Sequence, residues 1–202
     1  MYLGGIKNIV FDFGGVLYKI NPTATIEAFL TNSNVIGLDE KQLVSNKIFL
    51  EYEKGKINSD QFRDEIRKNL KNELIDSEID RMWNLTLVET FEKSYLLIKS
   101  LKNRGYKLAL LSNTNEIHFN YFIKEVRHIF EMFDFLIFSY QVQSRKPDIE
   151  IYQKMLQISG FNPKETIFVD DSNENIEGAK SSGLKTYHVT DAEKLWENFH
   201  SV

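Results

Sequence analysis

Four polar clusters stand out in the sequence, each following a short apolar run: Asp12-Phe-Gly-Gly-Val16, Ser112-Asn-Thr-Asn115, Arg145-Lys146-Pro147 and Asp170-Asp171-Ser-Asn-Glu-Asn175. Together they hold a carboxylate beside two glycines, hydroxyl and amide donors, a lysine countercharge and two adjacent acidic groups. That set suits phosphoryl transfer, in which a carboxylate attacks phosphorus while fixed donors and a cation take up the charge of the phosphate oxygens. Asp12 is the candidate nucleophile, because the glycines that follow permit a tight turn with little steric cover. Asp170 and Asp171 would repel one another unless a cation or a proton came between them. Magnesium is the expected cofactor, since it favours one or two carboxylates completed by carbonyl, water and phosphate oxygens. Ser112 precedes an expected helix, whose first amides and the serine hydroxyl can together cradle a phosphate.

Such clusters act together only if the fold gathers them. The runs at 6–12, 107–112, 135–139, 166–170 and 185–189 are short, apolar and rich in β-branched and aromatic residues, as expected of strands covered on both faces. Stretches long enough for a helix separate them, so right-handed crossovers into a parallel sheet are expected. The fold class is therefore α/β, a doubly wound parallel sheet. In such sheets ligands bind beyond the carboxyl ends of the strands, where all four clusters fall.

Roughly 90 residues lie between the first and second runs, far more than a connection needs, and no strand-like run is evident among them. An inserted helical unit is expected there. Asn21-Pro22 offers a cap residue followed by proline at the first helical position, and further helices are expected near 39–54, 59–70 and 76–84. The helix near 92–104 is assigned to the core. The resulting division is a core of residues 1–17 and 89–202 and a helical cap of residues 18–88.

Composition narrows the setting. The chain has 202 residues, a formal charge of −4 and no cysteine. It has no broad cationic field to attract nucleic acid or acidic lipid, and the lack of thiols excludes disulfides and thiolate chemistry and leaves the cytoplasm as the default compartment. No apolar run reaches the roughly 18 residues of a membrane span, and no signal peptide is expected. The expected partner is a small phosphorylated substrate; oligomeric state is not fixed by the sequence.

The segments Phe11-Asp12-Phe-Gly-Gly-Val-Leu17, Leu111-Ser112-Asn-Thr-Asn115, Lys146-Pro147 and Val169-Asp170-Asp171-Ser-Asn-Glu-Asn175 resemble, in order and placement, the four motifs of the haloacid dehalogenase superfamily. The resemblance extends over residues 6–189, and the insertion after the first motif is similar to that superfamily's small helical caps. It implies a Rossmann-like core and an aspartyl-phosphate formed on Asp12. Ser112 and Asn113 would bind phosphate, and Lys146 would stabilise the charge on Asp12 and the phosphoryl group. Magnesium would be held by Asp12, Asp171 and the backbone carbonyl of Gly14, with Asp170 in or just behind the metal shell and Asn175 ordering the acidic loop.

One position departs from the pattern. Most phosphatases of the superfamily carry a second aspartate two residues after the nucleophile, and here that residue is Gly14. Glycine cannot move a proton, and loss of such general acid-base help typically costs about 10²- to 10⁴-fold. A subgroup that also has glycine there includes sugar-phosphate phosphatases, which points to a small phosphorylated metabolite, sugar phosphates included. Two other readings stay open on the sequence: a metal-independent 2-haloacid dehalogenase and a catalytically weak phosphate-ligand-binding module. Among the remaining candidates, His118 is expected at the surface and is the first choice for a replacement base. His128, His188 and His200 are too dispersed for a metal set. Arg145 is read as surface charge, Trp83 as cap packing, and Tyr52-Glu-Lys-Gly-Lys56 as a helix end.

Overall fold

The computed structural model describes residues 3–41 and 47–200. Its centre is a five-stranded parallel sheet made of β1 (Asn8–Phe11), β4 (Lys107–Ser112), β5 (Phe135–Phe138), β6 (Thr166–Asp170) and β7 (Lys185–His188), in the spatial order β5-β4-β1-β6-β7. The five strands coincide with the five apolar runs to within two residues at either end. β1 lies at the centre with Phe11 in register with Leu110 on one side and Val169 on the other. The residue after Phe11 is Asp12, whose backbone amide still donates to the Val169 carbonyl at 2.9 Å. The nucleophile candidate is thus held by the last rung of the ladder.

Alternation along the buried strands feeds two apolar layers, since successive side chains leave a strand on opposite faces. Ile9, Phe11, Leu108, Leu110, Ile167 and Val169 pack on one face against helices α5 (Ser94–Asn103), α6 (Glu116–Phe130) and α10 (Leu195–His200). Val10, Ala109, Leu111 and Phe168 pack on the other against α8 (Ile149–Ser159) and α9 (Asn173–Ser181). The expected core helix near 92–104 is α5.

Between β1 and β4 lie helices α1 (Pro22–Thr31), α2 (Lys47–Glu53), α3 (Ser59–Leu70) and α4 (Asp76–Trp83). They bury an apolar cluster of their own, which includes Phe29, Tyr52, Phe62, Ile66 and Trp83 and reaches the core through Ile117 of α6. Part of the helix expected near 39–54 falls on residues 42–46, outside the described residues. Pro22 occupies the first turn of α1 as expected, although the Asn21 side chain makes no capping hydrogen bond. α3 begins with a full capping box, in which Asn58 and Gln61 satisfy each other's backbone amides.

The expectation of no strand in this region is corrected by a two-stranded antiparallel ribbon of β2 (Tyr18–Ile20) and β3 (Leu87–Thr90). Both strands are too short to show a pattern, and each is defined only by its partner some 70 residues away. The ribbon joins the start and end of the helical insertion. A short helix α7 (Ser139–Val142) follows β5 and leads toward Lys146.

Candidate active site

Beyond the carboxyl ends of β1, β4 and β6, the fold brings Asp12, Ser112, Asn113, Lys146, Asp171 and Asn175 to one cavity of about 440 Å³. Lys146 is its electrostatic centre. The side chain is almost wholly buried, and Nζ donates at 2.7 Å to Asp12 Oδ1 and at 2.7 Å to Asp170 Oδ2. Burial alone would lower the lysine pKa, but the two carboxylates more than offset it and hold the ammonium above its ordinary range.

The acid beside it is poised differently. Asp12 Oδ1 accepts from Lys146 and from the Phe13 amide at 2.6 Å, which fixes the carboxylate plane and leaves Oδ2 free of both contacts. Burial pushes its pKa up to about 8; Lys146 draws it down, and Asp170 adds to the rise. Asp171 is also held above the usual carboxylate range, first by partial burial and then by Asp170. Asp12, Asp170 and Asp171 present oxygens within 4.8 Å of one another. This is a hard, oxygen-only donor set with more negative charge than one lysine balances, and a divalent cation fits it.

The three acids are not equivalent. Asp170 is fully buried, and both its oxygens already accept: Oδ1 from the Ser172 amide and from Asn175 Nδ2, Oδ2 from Lys146 and from Asn175 Nδ2. Asn175 therefore orders the acidic loop. Helix α9 is capped by Ser172, so Asp171 is not needed for capping and lies open at the cavity. Gly15 has φ of 80°, and a Cβ there would overlap the Asp171 carboxylate, which explains a glycine at this place in the turn.

Ser112 is the last residue of β4 and nearly buried. The helix expected directly after it begins only at Glu116, with Asn115 as its cap. The Asn113 side chain is engaged with the Lys146 backbone, donating to its carbonyl at 3.0 Å and accepting from its amide at 2.9 Å. It ties the loop after β4 to the loop that carries Lys146. The Lys146–Pro147 peptide is cis.

Several residues differ from their sequence reading. His118 is not at the surface: its ring stacks on Trp83 with centroids 4.8 Å apart. Nε2 lies 3.1 Å from the Trp83 carbonyl and Nδ1 lies 3.1 Å from Asn115 Nδ2. The contacts assign the neutral tautomer, with Nε2–H donating and Nδ1 accepting. Burial lowers its pKa to about 4. Both ring nitrogens are thus engaged by neighbouring groups, although the residue lines the cavity. Arg145 is not simple surface charge either; Nε donates to Glu53 Oε2 at 2.8 Å, and both residues line the cavity. Burial raises the Glu53 pKa against the pull of Arg145. Trp83 packs the insertion and also lines the cavity.

Ile20 was not singled out from the sequence. A Cβ on Gly14 would lie 3.3 Å from Ile20 Cγ2, so the space beside position 14 is taken by an apolar side chain. The turn between Gly14 and Ile20 is held locally, with the Gly15 amide donating to the Tyr18 carbonyl at 2.8 Å.

Comparison with known proteins agrees with this geometry. Residues 6–183 match the haloacid dehalogenase-like hydrolases. The chain is 34% identical over 192 residues to the D-ribitol-5-phosphate phosphatase of Bacteroides thetaiotaomicron, covering 90% of this chain and 91% of that protein. It is 28% identical over 188 residues to the sesquiterpene phosphatase astK of Aspergillus oryzae, covering 92% and 91%. A crystal structure of a HAD family enzyme from Bacteroides thetaiotaomicron, in complex with magnesium and inorganic phosphate, superposes with a TM-score of 0.83 at 35% identity, covering 96% of this chain and 99% of that one.

Proposed function

The chain belongs to the haloacid dehalogenase-like hydrolases and is a phosphatase of that family, and we propose that it hydrolyses a small phosphorylated metabolite with magnesium, through an aspartyl-phosphate on Asp12. The observation that carries this reading is the Asp12–Lys146–Asp170 chain of contacts, which holds one Asp12 oxygen and leaves the other open to the cavity. Relatives named for a polyol phosphate and for a sesquiterpene phosphate differ widely in leaving group, so the fold itself does not select one.

In this mechanism Oδ2 of Asp12 attacks phosphorus in line with the leaving oxygen, and the alcohol departs. Lys146 balances the charge that passes between Asp12 and the phosphoryl group. The Ser112 hydroxyl and nearby backbone amides hold the phosphate oxygens, while Asn113 positions the Lys146 loop. Asp12 and Asp171 would hold magnesium with the Gly14 carbonyl, and Asp170 would act from behind as the anchor for Lys146. When bound, the ion supplies positive charge against the phosphate oxygens. Water then attacks the phosphoryl group and releases Asp12. The helices of residues 18–88 act as a cap that keeps bulk water from the site. With Ile20 beside Gly14 and His118 engaged, protons move through water, which slows release of the phosphoryl group most.

The carbon-attacking alternative needs no cation and leaves the clustering of three carboxylates without a use. A panel of phosphate esters assayed with magnesium and with chelator tests the proposal. We expect metal-dependent phosphate release that drops by at least about a thousandfold in Asp12→Asn. Activity untouched by either change would sink it.

A further inference from the structure

The cavity over Asp12 has two unlike ends. Its floor is polar and charged, whereas the wall contributed by the ribbon and the insertion presents Ile20, Ile26, Phe49, Leu50 and Leu87. Ile20 and Leu50, which both line the cavity, keep 41% and 44% of their surface exposed, an arrangement that favours a ligand able to cover them.

The polar groups interspersed in that wall are largely turned to internal partners. The Thr25 hydroxyl lies within hydrogen-bond distance of the Met82 and Trp83 carbonyls, at 2.9 and 3.0 Å. Trp83 Nε1 donates to Asn115, and both His118 nitrogens are engaged. Arg145 and Glu53 pair through Nε and Oε2, and together with Thr86 they form one polar edge of the cavity. A leaving group with many hydroxyls would find partners at that one edge and would give up water without replacement against the rest of the wall.

We infer that the substrate is a phosphate monoester of a predominantly apolar alcohol, with the phosphate on the charged floor and the hydrocarbon against the Ile20–Leu50 wall. This rests on the phosphatase reading above and narrows it from phosphorylated metabolites in general. Burial of a methylene is worth a factor of about four in affinity. A hydroxyl left without a partner on desolvation costs about tenfold.

The test uses the full chain with magnesium and compares kcat/KM for linear alkyl monophosphates from ethyl to decyl with glucose 1-phosphate and ribitol 5-phosphate; p-nitrophenyl phosphate serves as a general phosphatase probe. The expected result is a rise of about fourfold per added methylene until the cavity is full, with each polyol or sugar ester at least about tenfold below the alkyl ester of equal carbon number. Leu50→Asn should lower kcat/KM for the octyl ester more than for the ethyl ester. Metal- and Asp12-dependent turnover with a flat chain-length series, or with a polyol ester ahead of its alkyl counterpart, overturns the inference and leaves the phosphatase reading standing. No hydrolysis of any ester, p-nitrophenyl phosphate included, overturns both.

Discussion

Lys146 shows how a single side chain can organise opposing charges. It sits between Asp12 and Asp170, bonded to both at 2.7 Å. Removing it in Lys146→Met would leave two buried carboxylates facing each other, a loss that typically costs about 3–5 kcal/mol. Denaturant unfolding should show that loss at pH 8 and a smaller one at pH 5, where a proton can replace the ammonium; equal losses at both pH values would contradict the assignment. His118 makes the opposite case. Its folded pKa of about 4 lies below the ordinary 6.5, so the unfolded chain binds its proton first as pH falls. The stability it confers is fully present above pH 6.5 and is lost toward pH 4, on the order of 3 kcal/mol in all. His118→Gln should flatten the dependence of Tm on pH between 4 and 6.5 relative to the parent protein, and an unchanged slope would show that the ring is not held neutral.

Elements decide how the insertion meets the core. Gly55, just past α2, has φ of 62°, and a Cβ there would overlap the backbone carbonyl of Tyr140 in α7. Two ion pairs flank this approach, Glu53 with Arg145 and Lys54 with Asp148, each at 2.8 Å. Both core partners neighbour the Lys146–Pro147 step, so the end of α2 is tied to the loop that carries the lysine. Because a backbone overlap cannot be relieved by rotating a side chain, Gly55→Ala should lift α2 from α7 and raise KM, with a left-handed penalty of about 1–2 kcal/mol. Thermal melts and steady-state kinetics would check this; unchanged KM would show that α2 does not frame the substrate cavity. The core strands were legible in the sequence because a strand covered on both faces needs a continuous apolar run, and the four clusters lay where such strands end. The β2–β3 ribbon was not, since Tyr18–Ile20 and Leu87–Thr90 are too short to carry periodicity and gain their meaning only from each other. The Glu53–Arg145 pair was hidden for the same reason: its members lie 92 positions apart, and each alone looks like a solvated charge.

At the scale of the whole molecule, the parallel sheet supplies the charged floor and the insertion supplies a mostly apolar wall, and the cavity lies between them. Across the described residues no helix is long and apolar enough to cross a membrane. The part of the site that sequence reasoning reached was the floor, because its residues follow strand ends in fixed order. The part it missed was the packing around position 14, where Ile20 fills the space next to a glycine. That packing has a kinetic consequence. With no protein carboxylate at position 14 to activate water, hydrolysis of the phosphoryl-enzyme should be slower than its formation, and the intermediate should accumulate during turnover. Acid quenching of the enzyme with magnesium and p-nitrophenyl phosphate, followed by borohydride reduction and peptide mass analysis, measures it directly. Reduction of an acyl phosphate to homoserine is expected at position 12 and at no other carboxylate. Metal-dependent turnover with inversion at phosphorus and no modified residue at position 12 would contradict it.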